Sequence, residues 1–327
     1  MMHFYGIAFA AVFVLVLVLM PQMAKLAHKL DFTDKPTERK KHKAPMPLSG
    51  GVSMFIAVFV GFIIFVFTTD LFVEGVDIEM IAVLGGAALI VAVGVVDDYS
   101  KSKGKEFPVW PRLLIHIVSA SIAFAAGVRF TGFFNPLIDQ YVYLPFVLQY
   151  VLTVLWFVGL VTAFNFMDGL DGLSGLLALI SGSTFFIVAL HMGQPESAIL
   201  AVVLVAAIAG FLRSNLPPAR VYMGDSGAYL LGFMLAAISL HGAFKQATVI
   251  SLIIPMLAMG VPIFDSMLVV VRRILARKPA HVADSTNITH LHFRLLREGM
   301  KPAHAVALII LLSACLNLAS IILMLVF

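Results

Sequence analysis

Asn165-Phe166-Met167-Asp168-Gly169-Leu170-Asp171-Gly172 is a polar stretch set between two uncharged runs, 146–164 and 173–190. Each run approaches the ~20 residues that a helix needs to cross hydrocarbon. Asn165 and Asp168 are three apart, as are Asp168 and Asp171, so on a helix each pair would share a face. Gly169 and Gly172 loosen the backbone where a helix can end or a ligand can come close. Two carboxylates and a carboxamide at the end of a span cost free energy to hold near hydrocarbon, which marks them as functional candidates. Helix capping with a solvated turn is the competing reading.

The rest of the chain agrees with a membrane setting. Of 327 residues, 61% are hydrophobic and 12% charged, against roughly 25% charged in a soluble domain. Mean hydropathy is +1.01. The expected fold is an all-α polytopic membrane protein forming a single domain over residues 1–327. Apolar runs fall at 4–20, 50–69, 78–96, 112–128, 146–164, 173–190, 196–212, 226–241, 246–271 and 303–327, which makes ten spans. Eleven result if residues 129–145 hide a short or re-entrant segment. The first run is followed by positive charge and lacks a cleavage site, so it reads as an uncleaved span with its N-terminus outside. In that orientation the cytoplasmic loops hold 20 of the 22 Lys and Arg residues, all but Arg129 and Lys245. The positive-inside rule therefore selects this topology. The basic excess belongs to these loops and does not point to nucleic acid. The one cysteine, Cys315, lies in the last apolar run, so there is no disulfide framework.

The cytoplasmic segments carry the remaining candidates. The first, Asp34 to Lys43, is basic and offers Lys35, Arg39 and His42 to a phosphorylated substrate, unless it only anchors topology or attracts anionic lipid. It leads to Gly50-Gly51, read as permitting close backbone approach to phosphate. The second opens with Asp97-Asp98 directly after the span 78–96. Lys101, Lys103, Lys105 and Arg112 follow, with Trp110 in an interfacial elbow. Adjacent carboxylates repel unless a cation or donors sit between them. Asp225 lies in Met223-Gly224-Asp225-Ser226-Gly227 at the start of a span, where an N-cap role competes. Asp265 sits inside the span 246–271. In His290-Leu291-His292-Phe293-Arg294, the residues His290, His292 and Arg294 alternate and would share one face of an extended strand. Leu291, Leu295 and Leu296 instead fit a surface helix over 291–297.

Carboxylate and carbonyl oxygens suit Mg²⁺, and Lys, Arg and His suit phosphate oxygens. Phosphoryl transfer needs mainly positioning and charge neutralisation. No cysteine pair or helical histidine pair points to zinc, and no P-loop or Rossmann glycine pattern is present. A transporter would carry its polar groups near the midplane, often with internal repeats. Here the polar clusters lie at one edge.

Together, Asp34 to Gly51, Gly94-Val95-Val96-Asp97-Asp98, Asn165 to Leu173, Met223 to Gly227, Pro262 to Asp265 and His290 to Arg294 resemble the polyprenyl-phosphate N-acetylhexosamine-1-phosphate transferases. The match runs the length of the chain in the family's order. It is most similar to the undecaprenyl-phosphate N-acetylglucosamine-1-phosphate transferases that begin teichoic acid, O-antigen or related surface polymers. The muramoyl-pentapeptide branch, the alternative, carries three successive histidines where this chain has His-Leu-His-Phe-Arg. The resemblance implies that undecaprenyl phosphate attacks the β-phosphorus of UDP-N-acetylglucosamine and UMP leaves. It implies Mg²⁺, with Mn²⁺ as a substitute, at Asn165 and Asp225. Asp97, Asp98, Asp168 and Asp171 become catalytic candidates. Lys35, Arg39, His42, Gly50, Gly51, Asp265, His290, His292 and Arg294 become substrate-binding ones. The setting implied is a bacterial plasma membrane with the site on its cytoplasmic face; a homodimer is left open.

Overall fold

One helix, α8 (Gly224–His241), is buried at every position but Asp225. A helix apolar all round has to be surrounded, and α8 is the post about which the others stand. The computed structural model describes residues 2–35, 44–68, 77–135, 140–241, 249–275 and 290–326. In chain order the other helices are α1 (Met2–Lys29), α2 (Gly50–Thr68), α3 (Ile78–Ser102), α4 (Val109–Ala126), α5 (Phe146–Met167), α6 (Leu173–His191) and α7 (Pro195–Asn215) before α8. After it come α9 (Val249–Ala258), α10 (Gly260–Leu275), α11 (Leu291–Arg297) and α12 (Pro302–Val326). Eight of them, α1 to α7 and α12, are long and apolar enough to cross a membrane.

The packing around α8 depends on small residues, which let helix backbones meet where lipid supplies no hydrophobic drive between helices. At Gly94 of α3 an added Cβ would lie 2.4 Å from Ser226 Cα, and at Gly51 of α2 it would lie 2.2 Å from Gly227 N. Two helices thus press their backbones against the N-terminal turn of α8. The α3 and α5 helices cover much of its length, and α2, α6 and α7 close the remainder.

The apolar run 246–271 is broken rather than continuous, with α9 ending at Ala258 and α10 starting at Gly260. Pro262 has no N–H to give the carbonyl four residues back. That carbonyl, of Ala258, instead accepts from Ser181 Oγ at 2.6 Å and Asn317 Nδ2 at 3.0 Å. Neighbouring spans thus satisfy a backbone group that hydrocarbon would leave bare.

Two short hairpins interrupt the helices. β1 (Thr33–Asp34) pairs antiparallel with β2 (Met46–Pro47), and β3 (Gly132–Asn135) with β4 (Gln140–Tyr143). The second hairpin occupies the region in which an eleventh span was considered, so the described part of 129–145 is not helical.

Candidate active site

The site begins with a helix longer than its apolar run. Asp97 and Asp98 do not follow a span. They lie inside α3, which continues to Ser102, and both are buried. The helix can go on because each carboxylate finds partners. Asp98 accepts from the backbone N–H of Asp225 at 2.7 Å and of Ser226 at 3.1 Å. It therefore caps α8 from across the helix interface, where a negative group meets the positive end of the dipole. Asp98 positions Asp225, and Asp225 itself stands within the first turn of α8 rather than at the cap.

Asp97 Oδ2 accepts from Arg112 Nη1 at 2.7 Å and from the Tyr229 hydroxyl at 3.1 Å. The same hydroxyl reaches Asp225 Oδ2 at 3.1 Å. Lys101, one turn after Asp97, lies 3.6 Å from Asp97 Oδ1 and hydrogen-bonds to Asp225 Oδ2. Asp97 Oδ1 is buried and has no hydrogen bond among the described residues. Lys101, Arg112 and Tyr229 were not among the residues assigned from sequence. For Lys101 the signal was present, since it follows Asp97 at i+4. For Tyr229, apolar neighbours hid it.

The stretch from Asn165 to Gly172 forms the turn between α5 and α6. Asn165 is on the last turn of α5 and Asp168 is the C-cap, with φ −80° and ψ 46°. Neither side chain has a hydrogen-bonding partner among the described residues. Burial, then the neighbouring Asp225 and Asp171 carboxylates, push the Asp168 carboxyl up to about 7, with Lys101 opposing. Asp171 Oδ2 accepts from Ala219 N at 3.0 Å and so ties the turn to the segment before α8. Asn215 completes that tie, accepting from Gly172 N at 3.0 Å and donating to the Val221 carbonyl at 2.9 Å. Burial, followed by Asp171, Asp34 and Asp168, pushes the Tyr222 phenol up to about 12. Lys101 opposes the negative charge of Asp97, Asp168 and Asp225, and Arg112 that of Asp97. The side-chain oxygens of Asn165 and Asp168, which have no hydrogen bond among the described residues, together with Asp225, whose Oδ2 is shared by Lys101 and Tyr229, fit a hard divalent cation that these three would hold.

The last loop comes down on this turn. Residues 291–297 are the helix α11, not an extended strand, so His290, His292 and Arg294 do not share a face. Leu291 and Leu295, one turn apart, pack against the core and set the helix orientation. His290 is the N-cap residue, and its Nδ1 lies 2.6 Å from Asp265 Oδ2. Asp265 Oδ1 accepts from Leu291 N at 2.7 Å. His290 also meets the Phe166 ring, with centroids 4.6 Å apart. His292 is fully buried, and among the described residues neither ring nitrogen has a hydrogen bond. Burial, with His290 adding and Asp265 opposing, lowers its pKa to about 4. A Cβ added at Gly169 would lie 2.3 Å from His292 Nε2, so only glycine admits the imidazole. Phe293 is exposed and covers His292, with ring centroids 4.1 Å apart. Arg294 is half-buried on the side of His290.

Other expectations fare differently. Gly50 and Gly51 are buried and donate their N–H groups to the carbonyls of Tyr222 at 3.1 Å and Met223 at 3.0 Å. They join α2 to the approach of α8 and do not face a phosphate, because close approach here serves helix packing. Lys35 is exposed beside the β1–β2 hairpin, 3.0 Å from Asp31, which Lys103 also contacts at 3.1 Å. Arg39 and His42 lie outside the described residues.

Fold and site define a polytopic membrane protein with an acidic polar centre among the ends of α3, α5 and α8, roofed by α11. The chain belongs to glycosyl transferase family 4, whose family model matches residues 80–243. It is 33% identical over 317 residues to a Bacillus subtilis (strain 168) protein described as a "probable undecaprenyl-phosphate N-acetylglucosaminyl 1-phosphate transferase", covering 97% of this chain and 84% of that one. A Mycobacterium tuberculosis (strain ATCC 25618 / H37Rv) decaprenyl-phosphate N-acetylglucosaminephosphotransferase is 33% identical, with 88% and 74% covered. A Listeria monocytogenes phospho-N-acetylmuramoyl-pentapeptide-transferase is 30% identical, with 72% and 73% covered.

Proposed function

We propose that the protein transfers N-acetylglucosamine-1-phosphate from UDP-N-acetylglucosamine to undecaprenyl phosphate. A lipid phosphate oxygen attacks the β-phosphorus, the bond to the α-phosphate oxygen breaks, and UMP leaves. The observation that carries this is the Asp168 carboxyl, close to Asp225 and Asp171, on a turn over which His290 and His292 lie through Phe166 and Gly169. The extent of the match to N-acetylglucosamine-phosphate transferases favours this sugar over the muramoyl-pentapeptide.

Asn165, Asp168 and Asp225 would hold Mg²⁺, or Mn²⁺ in its place. When bound, the cation supplies charge neutralisation for the pyrophosphate. Arg112, held by Asp97, is placed to pair with the lipid phosphate. An apolar groove of about 270 Å³ between α3 and α4 is lined by Leu89, Val93, Val96, Phe107, Pro111 and Ile115. Pro111 in its lining precedes Arg112 in the chain, and the groove suits the start of a polyprenyl chain. A phosphate monoester has its second pKa near 6, so the nucleophile is ionised at neutral pH without a base. Asp97, engaged with Arg112 and Tyr229, acts as an organiser of the site. His290, fixed by Asp265, and Arg294 offer donors to the pyrophosphate as charge moves toward UMP.

In this reading α9 and α10 together make one crossing. The chain then crosses ten times, with both termini outside and the site on the cytoplasmic face. The positive-inside count supports that orientation. The test is UMP release by purified protein given undecaprenyl phosphate, Mg²⁺ and one UDP-sugar at a time. Release with UDP-N-acetylglucosamine is expected. Release only with UDP-N-acetylmuramoyl-pentapeptide would overturn the sugar assignment, and release with neither would overturn the reaction.

A further inference from the structure

At the end of α3 remote from Asp97 lies a second polar cluster that the reaction does not use. Asp97 lies eighteen positions after Glu79, which on a helix is about 27 Å. Asp77 caps α3, accepting from Glu79 N at 3.2 Å through Oδ1. Glu79 stands in the first turn, and an added Cβ on Gly127, the C-cap of α4, would lie 2.8 Å from its Oε1. Its Oε2 is 3.0 Å from Nε2 of His241, the last residue of α8. Oxygen atoms of Asp77 and Glu79 and a ring nitrogen of His241 all lie within 4.8 Å of one another.

His241 turns this cluster from an acidic patch into a site. The residue is 3% exposed, yet among the described residues its Nε2 has no hydrogen bond despite the nearby carboxylate. The carboxylate oxygen lies off the direction in which an Nε2–H would point. Nδ1, by contrast, is 2.8 Å from Ser197 Oγ in the first turn of α7. With Nδ1–H donated to the serine, Nε2 carries a lone pair that points between its carboxylate neighbours rather than at an oxygen, leaving room for a cation on that axis. This is the arrangement of a ligating histidine whose other nitrogen is fixed by a supporting hydrogen bond. The C-terminal ends of α4 and α8 meet the N-terminal ends of α3 and α7 here, so the helix dipoles largely offset one another and the side chains set the preference.

We propose that Asp77, Glu79 and His241 bind a divalent transition-metal ion of the Zn²⁺ class. One imidazole nitrogen with two carboxylates favours such an ion over Mg²⁺ or Ca²⁺. Ligands at about 2.1 Å in tetrahedral geometry stand about 3.4 Å apart. The Glu79–His241 spacing of 3.0 Å is close to this, and Asp77, exposed, closes by a small side-chain movement using its second oxygen. The ion joins the ends of α3 and α8, with α4 held against Glu79. Its role is structural and separate from the proposed reaction.

The test uses full-length protein in detergent, stripped of metal, in an Asp225→Ala background that disables the other cation site. Co²⁺ is titrated and followed by its visible absorption, and Zn²⁺ by its effect on thermal unfolding. The parent is expected to bind one equivalent of each and to melt higher with Zn²⁺. Glu79→Gln and His241→Gln should each weaken binding about 100-fold or more, beyond the loss typical of a supporting residue. Asp77→Asn keeps a good helix cap and so folds normally, and it too should weaken binding. Absence of binding by the parent would overturn the proposal, as would unchanged affinity in Asp77→Asn and Glu79→Gln. A parent that responds only to acid, through a charged His241–Glu79 pair, would overturn it as well.

Discussion

Gly94→Ala probes the contact on which the active-site geometry depends. The new Cβ would lie 2.4 Å from Ser226 Cα, 2.6 Å from Ser226 N and 3.1 Å from Asp225 C. Carbon pairs rest at about 3.5–4.0 Å, and both neighbours are backbone, so α3 and the first turn of α8 must separate by about 1 Å. Asp98, one turn further along α3, holds Asp225 N at 2.7 Å and Ser226 N at 3.1 Å. A 1 Å shift carries the longer bond beyond the usual range of about 3.2 Å. Overpacking of this kind costs about 1–3 kcal/mol in stability. Misplacing a reactive group by 1 Å costs about 100-fold in rate. Gly94→Ala is therefore expected to lower kcat for UMP release about 100-fold and to lower the Tm in detergent. Gly85→Ala is the control, because no atom lies within 4 Å of its Cβ, and it should match wild type in both assays. Activity within a few-fold of wild type for Gly94→Ala would refute the argument that the α3–α8 contact sets the position of Asp225.

Three further outcomes follow from the same contacts. Asp98→Ala strips the acceptor from two buried N–H groups, which costs about 1–3 kcal/mol each; chemical denaturation should show this, and Asp98→Asn should recover part of both stability and activity. His290→Ala and Arg294→Ala should each lower kcat/KM about 100-fold, the scale of losing one charge-stabilising donor, and Asp265→Ala should also speed amide exchange in α11. The His292 pKa is lowered from 6.5 to about 4, so between those values the unfolded segment binds a proton that the folded one refuses. The docking of α11 should be fully stable above pH 6.5 and lose up to about 3 kcal/mol as the pH falls toward 4, read by amide exchange and absent in His292→Leu.

What the sequence made legible is what short-range chemistry determines. Apolar runs gave the helices, because a span must satisfy its own backbone bonds. The turn from Asn165 to Gly172 stood out because ionisable groups at membrane depth need a reason. Contacts between distant parts of the chain were hidden. Asp97 and Asp98 looked like residues beyond a span because their partners, Tyr229 and the α8 backbone, lie more than a hundred residues away. Gly50 and Gly51 looked like a phosphate loop because nothing local reveals the Tyr222 and Met223 carbonyls that occupy their N–H groups. In α11 the leucine spacing of 291 and 295 pointed to a helix, while alternation of His290, His292 and Arg294 suggested a strand. Apolar packing decided between them. The break between α9 and α10 was not read from the run 246–271, because the hydrogen bonds from Ser181 and Asn317 that make it tolerable come from distant spans.

The central claim is that the cluster around Asp225 carries out sugar-phosphate transfer to a polyprenyl phosphate. Its most direct measurement uses UDP-N-acetylglucosamine labelled at the β-phosphate, incubated with undecaprenyl phosphate and purified protein. The lipid product is then followed in wild type and in Asp225→Ala, with and without EDTA. The expected result is label and sugar together on the lipid in wild type with Mg²⁺, and neither in EDTA or in a folded Asp225→Ala protein. Labelled lipid formed at the wild-type rate by Asp225→Ala, or in EDTA, would contradict the account.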